Sequence, residues 1–83
     1  MQARRSVYLL QSEADNDRYY TGLTSTVAAR LAEHNAGRCE STADGRPWKI
    51  IVVVKFLHEE RAAQFERYLK SGSGGAFARR HFR

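Results

Sequence analysis

Residues 7–24 read VYLLQSEADNDRYYTGLT, in which two apolar runs flank a polar loop. Residues 7–11 and Tyr19–Thr24 are rich in aliphatic and aromatic side chains, which favour a pleated, half-buried surface. The loop between them holds two aspartates and one asparagine, which favour turns. This stretch therefore predicts an antiparallel hairpin of two strands.

The segment after the hairpin predicts a first helix over Val27–Asn35. Hydroxyl side chains at positions 25 and 26 can cap its start, and Gly37 can adopt the left-handed conformation that ends it. The apolar stripe that we expect to pack on the hairpin consists of Val27, Ala28, Leu31 and Ala32. Residues 37–46 are polar and predict a loop before Pro47.

A third strand is predicted over residues 48–56, which contain the longest apolar run of the chain. The five aliphatic residues at 50–54 do not alternate with polar ones, which is typical of a strand covered on both faces. We therefore expect this strand at the centre of the sheet. Because a membrane helix needs roughly 20 apolar residues, no membrane span is expected.

The remaining chain predicts two further helices. Residues 58–70 place Ala62, Phe65 and Leu69 on one side of a helix, and the glycine-rich residues 71–75 are expected to end it. Residues 76–82 predict a last, basic turn of helix that Phe77 or Phe82 fixes to the core. The order strand, strand, helix, strand, helix, short helix predicts an α+β domain with three strands and helices packed on them.

Length and composition narrow the class of protein. Eighty-three residues allow one domain, residues 1–83, without a second core. Fourteen Lys and Arg against nine Asp and Glu give a net charge of +5, which favours polyanionic partners without identifying one.

Cys39 is the only cysteine, so no internal disulfide can form. Its polar neighbours suggest an exposed, incidental thiol. The short apolar run near Met1 does not fit a secretory signal, so we expect a cytoplasmic protein.

Arg30 and His34 are the first candidate site residues. They lie four residues apart on the predicted first helix and therefore share a face, at the shoulder of the apolar stripe. This position suggests that both line a pocket between helix and sheet. The alternative is that Arg30 extends its charge to solvent along the apolar surface and that His34 is a hydrogen-bonded boundary residue.

Glu66 has a similar position on the second predicted helix. It lies at the edge of the buried arc, where a carboxylate is costly unless it is paired or bound to a metal. An ion pair with Arg30 or Lys70 is one interpretation. The other is metal ligation, because one carboxylate together with water molecules is a common way to hold Mg²⁺.

Two tyrosines on the predicted hairpin complete the set. Alternation along the strands directs Tyr8 and Tyr20 toward one side of the sheet, where their hydroxyl groups can converge. Gly22 follows on the same face, and we expect it to leave an open patch that a ligand backbone can approach. The alternatives are two ordinary sheet aromatics and a glycine that marks a bulge.

Taken in order, this set resembles the GIY-YIG nuclease family. That pattern begins with a tripeptide that ends in tyrosine and a second tripeptide that begins with tyrosine and ends in glycine. An arginine follows the tyrosine of the second tripeptide by ten residues, and a histidine comes one helical turn later. A glutamate lies on the next helix. The matching residues are Tyr8, Tyr20, Gly22, Arg30, His34 and Glu66. Residues 19–24, 30–35, 47–49 and 69–74 look like the small, stand-alone bacterial branch of the family.

The resemblance implies a three-stranded antiparallel sheet flanked by helices and a metal-dependent endonuclease that acts on DNA with low sequence specificity, in DNA repair or recombination. It implies that Glu66 binds one divalent cation, Mg²⁺, and that Arg30 neutralises a phosphate oxygen. Tyr8 would be the general base, helped by His34, and Tyr20 would position the water or the phosphate.

Some features depart from the family pattern. Ser6 stands in place of the usual glycine and Thr21 in place of an aliphatic residue, and the asparagine that many members carry after the metal-binding helix is absent. The basic side chain of Lys70 can substitute for the asparagine electrostatically.

The residues predicted to bind nucleic acid are Gly22, Lys70, Arg79 and Arg80. A partner protein would supply specificity, and a homodimer would let a one-site enzyme cut both strands. The alternatives are a nucleic-acid-binding module with little or no cleavage and a protein-interaction or structural domain.

Overall fold

The computed structural model describes residues 2–83. Its elements follow one another as β1 (Ser6–Ser12), β2 (Tyr19–Thr24), α1 (Val27–Asn35), a 3-10 helix (Glu40–Gly45), β3 (Trp48–Lys55), α2 (Glu59–Leu69) and α3 (Gly72–His81). This order confirms the α+β architecture expected from the sequence. The part of the chain described here contains no helix with the length and apolar character needed to cross a membrane.

The sheet has three antiparallel strands in the order β2-β1-β3. The central strand is therefore β1, and the prediction that residues 48–56 form the central strand is wrong. The side chains of Val7 and Leu10 are 2% and 0% exposed, whereas Val53 of β3 is 45% exposed. The aliphatic run of β3 reflects the preference of β-branched residues for extended backbone more than burial.

Helices cover both faces of the sheet. One core cluster joins Tyr8, Leu10 and Trp48 to the apolar side chains of α1, which are Val27 and Leu31. The other joins Val7 to buried residues of α2 and α3, which are Ala62, Leu69 and Ala78. Because successive strand residues point to opposite faces, β1 presents Tyr8 to the α1 layer and Val7 to the α2 and α3 layer.

The buried face of α1 differs from the predicted stripe. Ala28 and Ala32 are exposed, whereas His34 is completely buried. Val27, Leu31 and His34 follow the helical spacing of four and three residues, so the helix is rotated to bury the histidine in place of the alanines. Gly37 has a φ of 79°, which confirms the predicted left-handed residue after the helix.

The loop predicted over residues 37–46 contains the 3-10 helix, which buries Thr42. Cys39 is partly buried at the start of this helix, so the expected exposed thiol is wrong. Its backbone carbonyl accepts a hydrogen bond from the amide of Thr42 at 3.1 Å. The segment is therefore tied down, and it packs against α1.

The glycine-rich segment after α2 also differs from the prediction. Residues 71–75 do not remain outside the helices, because α3 begins at Gly72 and the Ser71 side chain caps it by accepting a hydrogen bond from the Gly74 amide. A Cβ atom at Gly74 would lie 1.7 Å from the carbonyl oxygen of Tyr68. Glycine there allows α3 to start directly against the end of α2. Phe77 and Phe82 pack on the core as expected.

Candidate active site

A cavity of about 460 Å³ collects four of the five predicted catalytic residues, which are Tyr8, Tyr20, Arg30 and Glu66. The β2 residues that line it include Gly22 and Leu23, which point to opposite faces of the strand. Because β2 is an edge strand, the cavity lies at that edge of the sheet, where α1 and α2 approach from the two sides. His34, the fifth residue, lies behind Tyr8.

Tyr8 is the most deeply buried member of the set, with 1% of its surface exposed. Its hydroxyl oxygen lies 3.0 Å from Nε2 of His34. Burial raises the pKa of Tyr8 above its ordinary value, and the adjacent Arg30 guanidinium opposes this rise without reversing it. The phenol is therefore neutral at pH 7 and hydrogen-bonded to the imidazole.

His34 is completely buried between the tyrosines and the 3-10 helix. Its Nδ1 atom lies 2.8 Å from the hydroxyl oxygen of Thr42, so both ring nitrogens have a partner. Burial, followed by the charge of Arg30, lowers the pKa of His34. A neutral imidazole therefore faces the phenol of Tyr8, and it can accept a proton from that side.

Gly22 lies directly beneath the Tyr8 ring. The two residues are paired across β1 and β2, and a Cβ atom at Gly22 would lie 2.3 Å from both Cζ and Oη of Tyr8. The space expected to remain open for a ligand backbone is thus occupied by the tyrosine ring. Glycine at this position is required because any Cβ atom would collide with the phenol ring of Tyr8.

Tyr20 packs its ring against the same imidazole. The ring centroids of Tyr20 and His34 are 4.7 Å apart, and those of Tyr20 and Tyr8 are 6.2 Å apart. Tyr20 is partly buried and lines the cavity. The three rings therefore pack against one another, and the two tyrosines lie on one side of the sheet, as expected from their alternation along the hairpin.

Arg30 contributes a positive charge to the cavity. Its Nη1 atom lies 2.9 Å from Oε1 of Glu33, and its side chain is 35% exposed. The neighbouring Tyr8 and Glu33 raise its pKa, so the guanidinium stays charged at any physiological pH. Glu33 holds one edge of the guanidinium, and the remaining donors suit the oxygen atoms of a phosphate.

Glu66 enters the cavity from α2 with 15% of its side chain exposed. Its carboxylate forms an ion pair with the ammonium group of Lys70, one of the two partners that the sequence left open. Residues 2–83 contain no group of three or more His, Cys, Asp or Glu side chains that would enclose a metal ion. A single carboxylate beside an open, polar cavity nevertheless fits Mg²⁺, which usually keeps several waters and binds substrate phosphates.

Two arginines of the cavity were missed by the sequence analysis. Arg4 and Arg67 both line it. The amide of Arg4 donates a hydrogen bond to Glu59 at 3.1 Å, which holds the N-terminal segment beside α2. The net positive charge is the only sequence property that indicates them, because nothing in the local pattern predicts that position 4 meets α2.

The residues predicted to bind nucleic acid are divided in space. Gly22 lines the cavity and Lys70 contacts Glu66. Arg80 lies on α3 beside a different cavity, and Arg79 is exposed on the same helix. Neither arginine lines the cavity that holds the tyrosines. A second large cavity, of about 500 Å³, contains none of the five predicted catalytic residues.

Comparison with known proteins shows the family to which the chain is similar. A family model described as the GIY-YIG catalytic domain matches residues 4–75. A UPF0213 protein of Listeria welshimeri is 41% identical over 59 residues, which cover 70% of this chain and 66% of that protein. A UPF0213 protein of Cupriavidus pinatubonensis is 33% identical over 67 residues, which cover 80% of this chain and 74% of that protein.

A fungal protein also matches. The structure-specific endonuclease subunit SLX1 of Scheffersomyces stipitis is 42% identical over 67 residues, which cover 72% of this chain and 20% of that subunit. The match covers slightly less than two thirds of the length of the Listeria relatives, with 66% and 64% of two of them. The similarity thus corresponds to one region of the fungal subunit and to the larger part of the bacterial proteins.

Proposed function

Because the chain belongs to the GIY-YIG family, we propose that it is a metal-dependent endonuclease that hydrolyses phosphodiester bonds in DNA. The observation that supports this most strongly is the meeting of Tyr8, Tyr20, Arg30 and Glu66 around one cavity, with a neutral His34 hydrogen-bonded to Tyr8. Phosphodiester hydrolysis needs an activated water, a positive clamp on the phosphoryl oxygens and stabilisation of the leaving oxygen. The cavity offers a group for each.

Tyr8 acts as the general base for the attacking water. A proton moves from the water to the Tyr8 oxygen while the hydroxyl proton of Tyr8 moves to Nε2 of His34, 3.0 Å away. The water oxygen forms a bond to phosphorus, and the bond from phosphorus to the leaving oxygen breaks. The leaving oxygen takes a proton from solvent. The transfer to His34 avoids a free phenolate, which is costly at pH 7 because an ordinary phenol has a pKa of about 10 and burial raises the pKa of Tyr8 further.

The other residues of the cavity hold the substrate. Arg30 donates to a non-bridging phosphate oxygen, and its fixed guanidinium neutralises the charge that develops there. Tyr20 orients the water or the phosphate with its hydroxyl group. Glu66 holds a divalent cation, which we take to be Mg²⁺. When bound, that ion would polarise the phosphate and stabilise the negative charge on the leaving oxygen.

The substrate and the setting are extensions of this proposal. The fungal relatives are named structure-specific endonuclease subunits, which supports a branched or otherwise structured DNA recognised with low sequence specificity. The word subunit supports action with a partner protein or as a homodimer. We therefore propose a role in DNA repair or recombination in the cytoplasm of a bacterium. Lys70, Arg79 and Arg80 add sequence-independent contacts to DNA phosphates.

The test is nicking of supercoiled plasmid DNA, followed by a panel of flapped, branched, nicked and single-stranded substrates. The parent protein is expected to nick DNA with Mg²⁺ and to stop when the metal is chelated. Glu66→Ala should abolish the product, whereas Glu60→Ala, on an exposed position of the same helix, should not. Equal nicking by the parent and by Glu66→Ala would show that a contaminant cuts the DNA.

A second candidate function is a nucleic-acid-binding module without cleavage. The ion pair of Glu66 with Lys70 favours it, because the ammonium group already neutralises the only carboxylate of α2 that lines the cavity. Binding that weakens with salt, without a metal-dependent product on any substrate of the panel, would support this function over the nuclease.

A further inference from the structure

Thr42 has a buried side chain that lies beside His34 on the side away from Tyr8. It lies in the 3-10 helix, is 0% exposed, and places its hydroxyl oxygen 2.8 Å from Nδ1 of His34. The same oxygen lies 3.3 Å from the carbonyl oxygen of Cys39. The hydroxyl group has one proton, which it can donate either to Nδ1 of His34 or to the Cys39 carbonyl. If it donates to the carbonyl, it accepts from Nδ1, and Nδ1 then carries the hydrogen of the neutral imidazole.

The surroundings of Tyr8 decide this direction. The phenol proton needs an acceptor because Tyr8 is 1% exposed. Arg30, its charged neighbour, can only donate hydrogen bonds, whereas Nε2 of His34 lies 3.0 Å from the phenol oxygen. If Nε2 accepts from Tyr8, the hydrogen of the neutral imidazole is on Nδ1. Thr42 then accepts from Nδ1 and donates to the Cys39 carbonyl.

Resting on the proposed nuclease function, we propose that Thr42 is a positioning residue, whose hydroxyl group keeps the His34 hydrogen on Nδ1 and so leaves Nε2 open for the Tyr8 proton. In the opposite tautomer, Nε2 already carries a hydrogen and cannot accept one. The hydroxyl of Thr42 would also continue to accept from Nδ1 after His34 becomes positively charged. It thus supports the imidazole before and after the transfer.

The backbone around Thr42 is held by a second layer of contacts. The indole nitrogen of Trp48 donates to the Thr42 carbonyl at 2.8 Å. The Trp48 amide in turn donates to the Asn35 side chain at 2.6 Å, and that side chain donates back to the Trp48 carbonyl at 3.0 Å. Asn35 is the residue that follows His34 on α1. The position of the threonine hydroxyl relative to the imidazole is therefore fixed from both sides.

The test compares Thr42→Val, which keeps the shape and removes the hydroxyl group, with Thr42→Ser, which restores it. The nitrogen chemical shifts of His34 report which ring nitrogen carries the hydrogen, with or without DNA cleavage. We expect the Nδ1–H form in the parent and in Thr42→Ser, and a shift toward Nε2–H in Thr42→Val. Thr21→Val, on the face of β2 away from Tyr20, is the matched control and should leave the form unchanged.

Cleavage provides the second readout. Thr42→Val should lower kcat by roughly 100-fold with little change in KM, which is within the usual range for losing assistance from a general base. An Nε2–H imidazole in the parent protein would overturn the assignment without any variant. An unchanged tautomer or an unchanged kcat in Thr42→Val would also overturn it. A parent protein that never cleaves DNA would instead refute the nuclease function, and the nitrogen shifts would still decide the tautomer.

Discussion

Replacing Gly22 by alanine tests whether the Tyr8 ring fits as closely against β2 as the structure indicates. The new Cβ atom would lie 2.3 Å from Cζ and Oη and 2.6 Å from Cε1 of Tyr8. Carbon atoms in contact are ordinarily about 3.5–4.0 Å apart, so the ring must move by about 1 Å or more. Tyr8 has 1% exposure and its hydroxyl is bonded to His34, so the movement breaks a buried contact.

We expect Gly22→Ala to lower the free energy of unfolding by about 1–3 kcal/mol, as overpacking of a core usually does. For a domain of this size each kcal/mol lowers Tm by about 4–8 °C. Cleavage should fall by roughly 100-fold, because a displacement of about 1 Å removes the base from its productive position. The assays are thermal unfolding followed by circular dichroism and plasmid nicking of the folded protein.

Gly72→Ala is the matched control for this substitution. No atom lies within 4 Å of a Cβ at Gly72, which begins α3, so we expect unchanged or slightly higher stability and unchanged cleavage. If Gly22→Ala unfolds and cleaves like the parent protein, the close packing of Tyr8 on Gly22 is wrong. The explanation of this glycine would then be wrong as well.

The remaining predictions concern the cation and pH. Lys70→Met removes the ammonium group that is paired with Glu66, so the Mg²⁺ concentration for half-maximal nicking should fall about two- to fivefold. Lys49→Met on β3 is the control and should leave that concentration unchanged. A higher Mg²⁺ requirement in Lys70→Met would contradict the competition between lysine and metal for Glu66. Burial lowers the pKa of His34 in the folded protein, so the unfolded chain takes up a proton before the folded one as the pH falls. The contribution of His34 to the free energy of unfolding should therefore be complete above pH 6.5 and be lost below it, by at most about 1.4 kcal/mol per pH unit. Urea unfolding at several pH values checks this, and the same slope in His34→Gln would refute it.

Much of the fold was predictable from local patterns. Polar turn residues between two apolar runs indicated the hairpin, and alternation along it brought Tyr8 and Tyr20 to one face. The spacing of Arg30 and His34 indicated a shared helix face, and the structure places both beside Tyr8. These properties depend on residues that are close in sequence or on strict strand periodicity, which the sequence carries directly.

Other features depend on packing that no local pattern encodes. The aliphatic run of β3 predicted a central strand. The central strand is β1, because β1 pairs with both other strands, and the composition of one strand does not encode which strands it pairs with. Thr42 lies in a polar stretch without periodicity, and only the turn of the chain after α1 brings it to His34. Arg4 meets α2 from the opposite end of the chain, so its place in the cavity was not foreseeable from its neighbours.

The transfer of a proton from water to the phenol of Tyr8 is tested most directly by the single-turnover cleavage rate of Tyr8→Phe with Mg²⁺. This change keeps the ring against Gly22 and removes only the oxygen that faces His34. Tyr68→Phe is the matched control, because Tyr68 is 40% exposed and its ring packs against Phe65, away from His34. We predict that Tyr8→Phe lowers the rate at least about 100-fold and that Tyr68→Phe leaves it within about twofold of the parent rate. Cleavage by Tyr8→Phe at the parent rate would contradict the role given to this phenol.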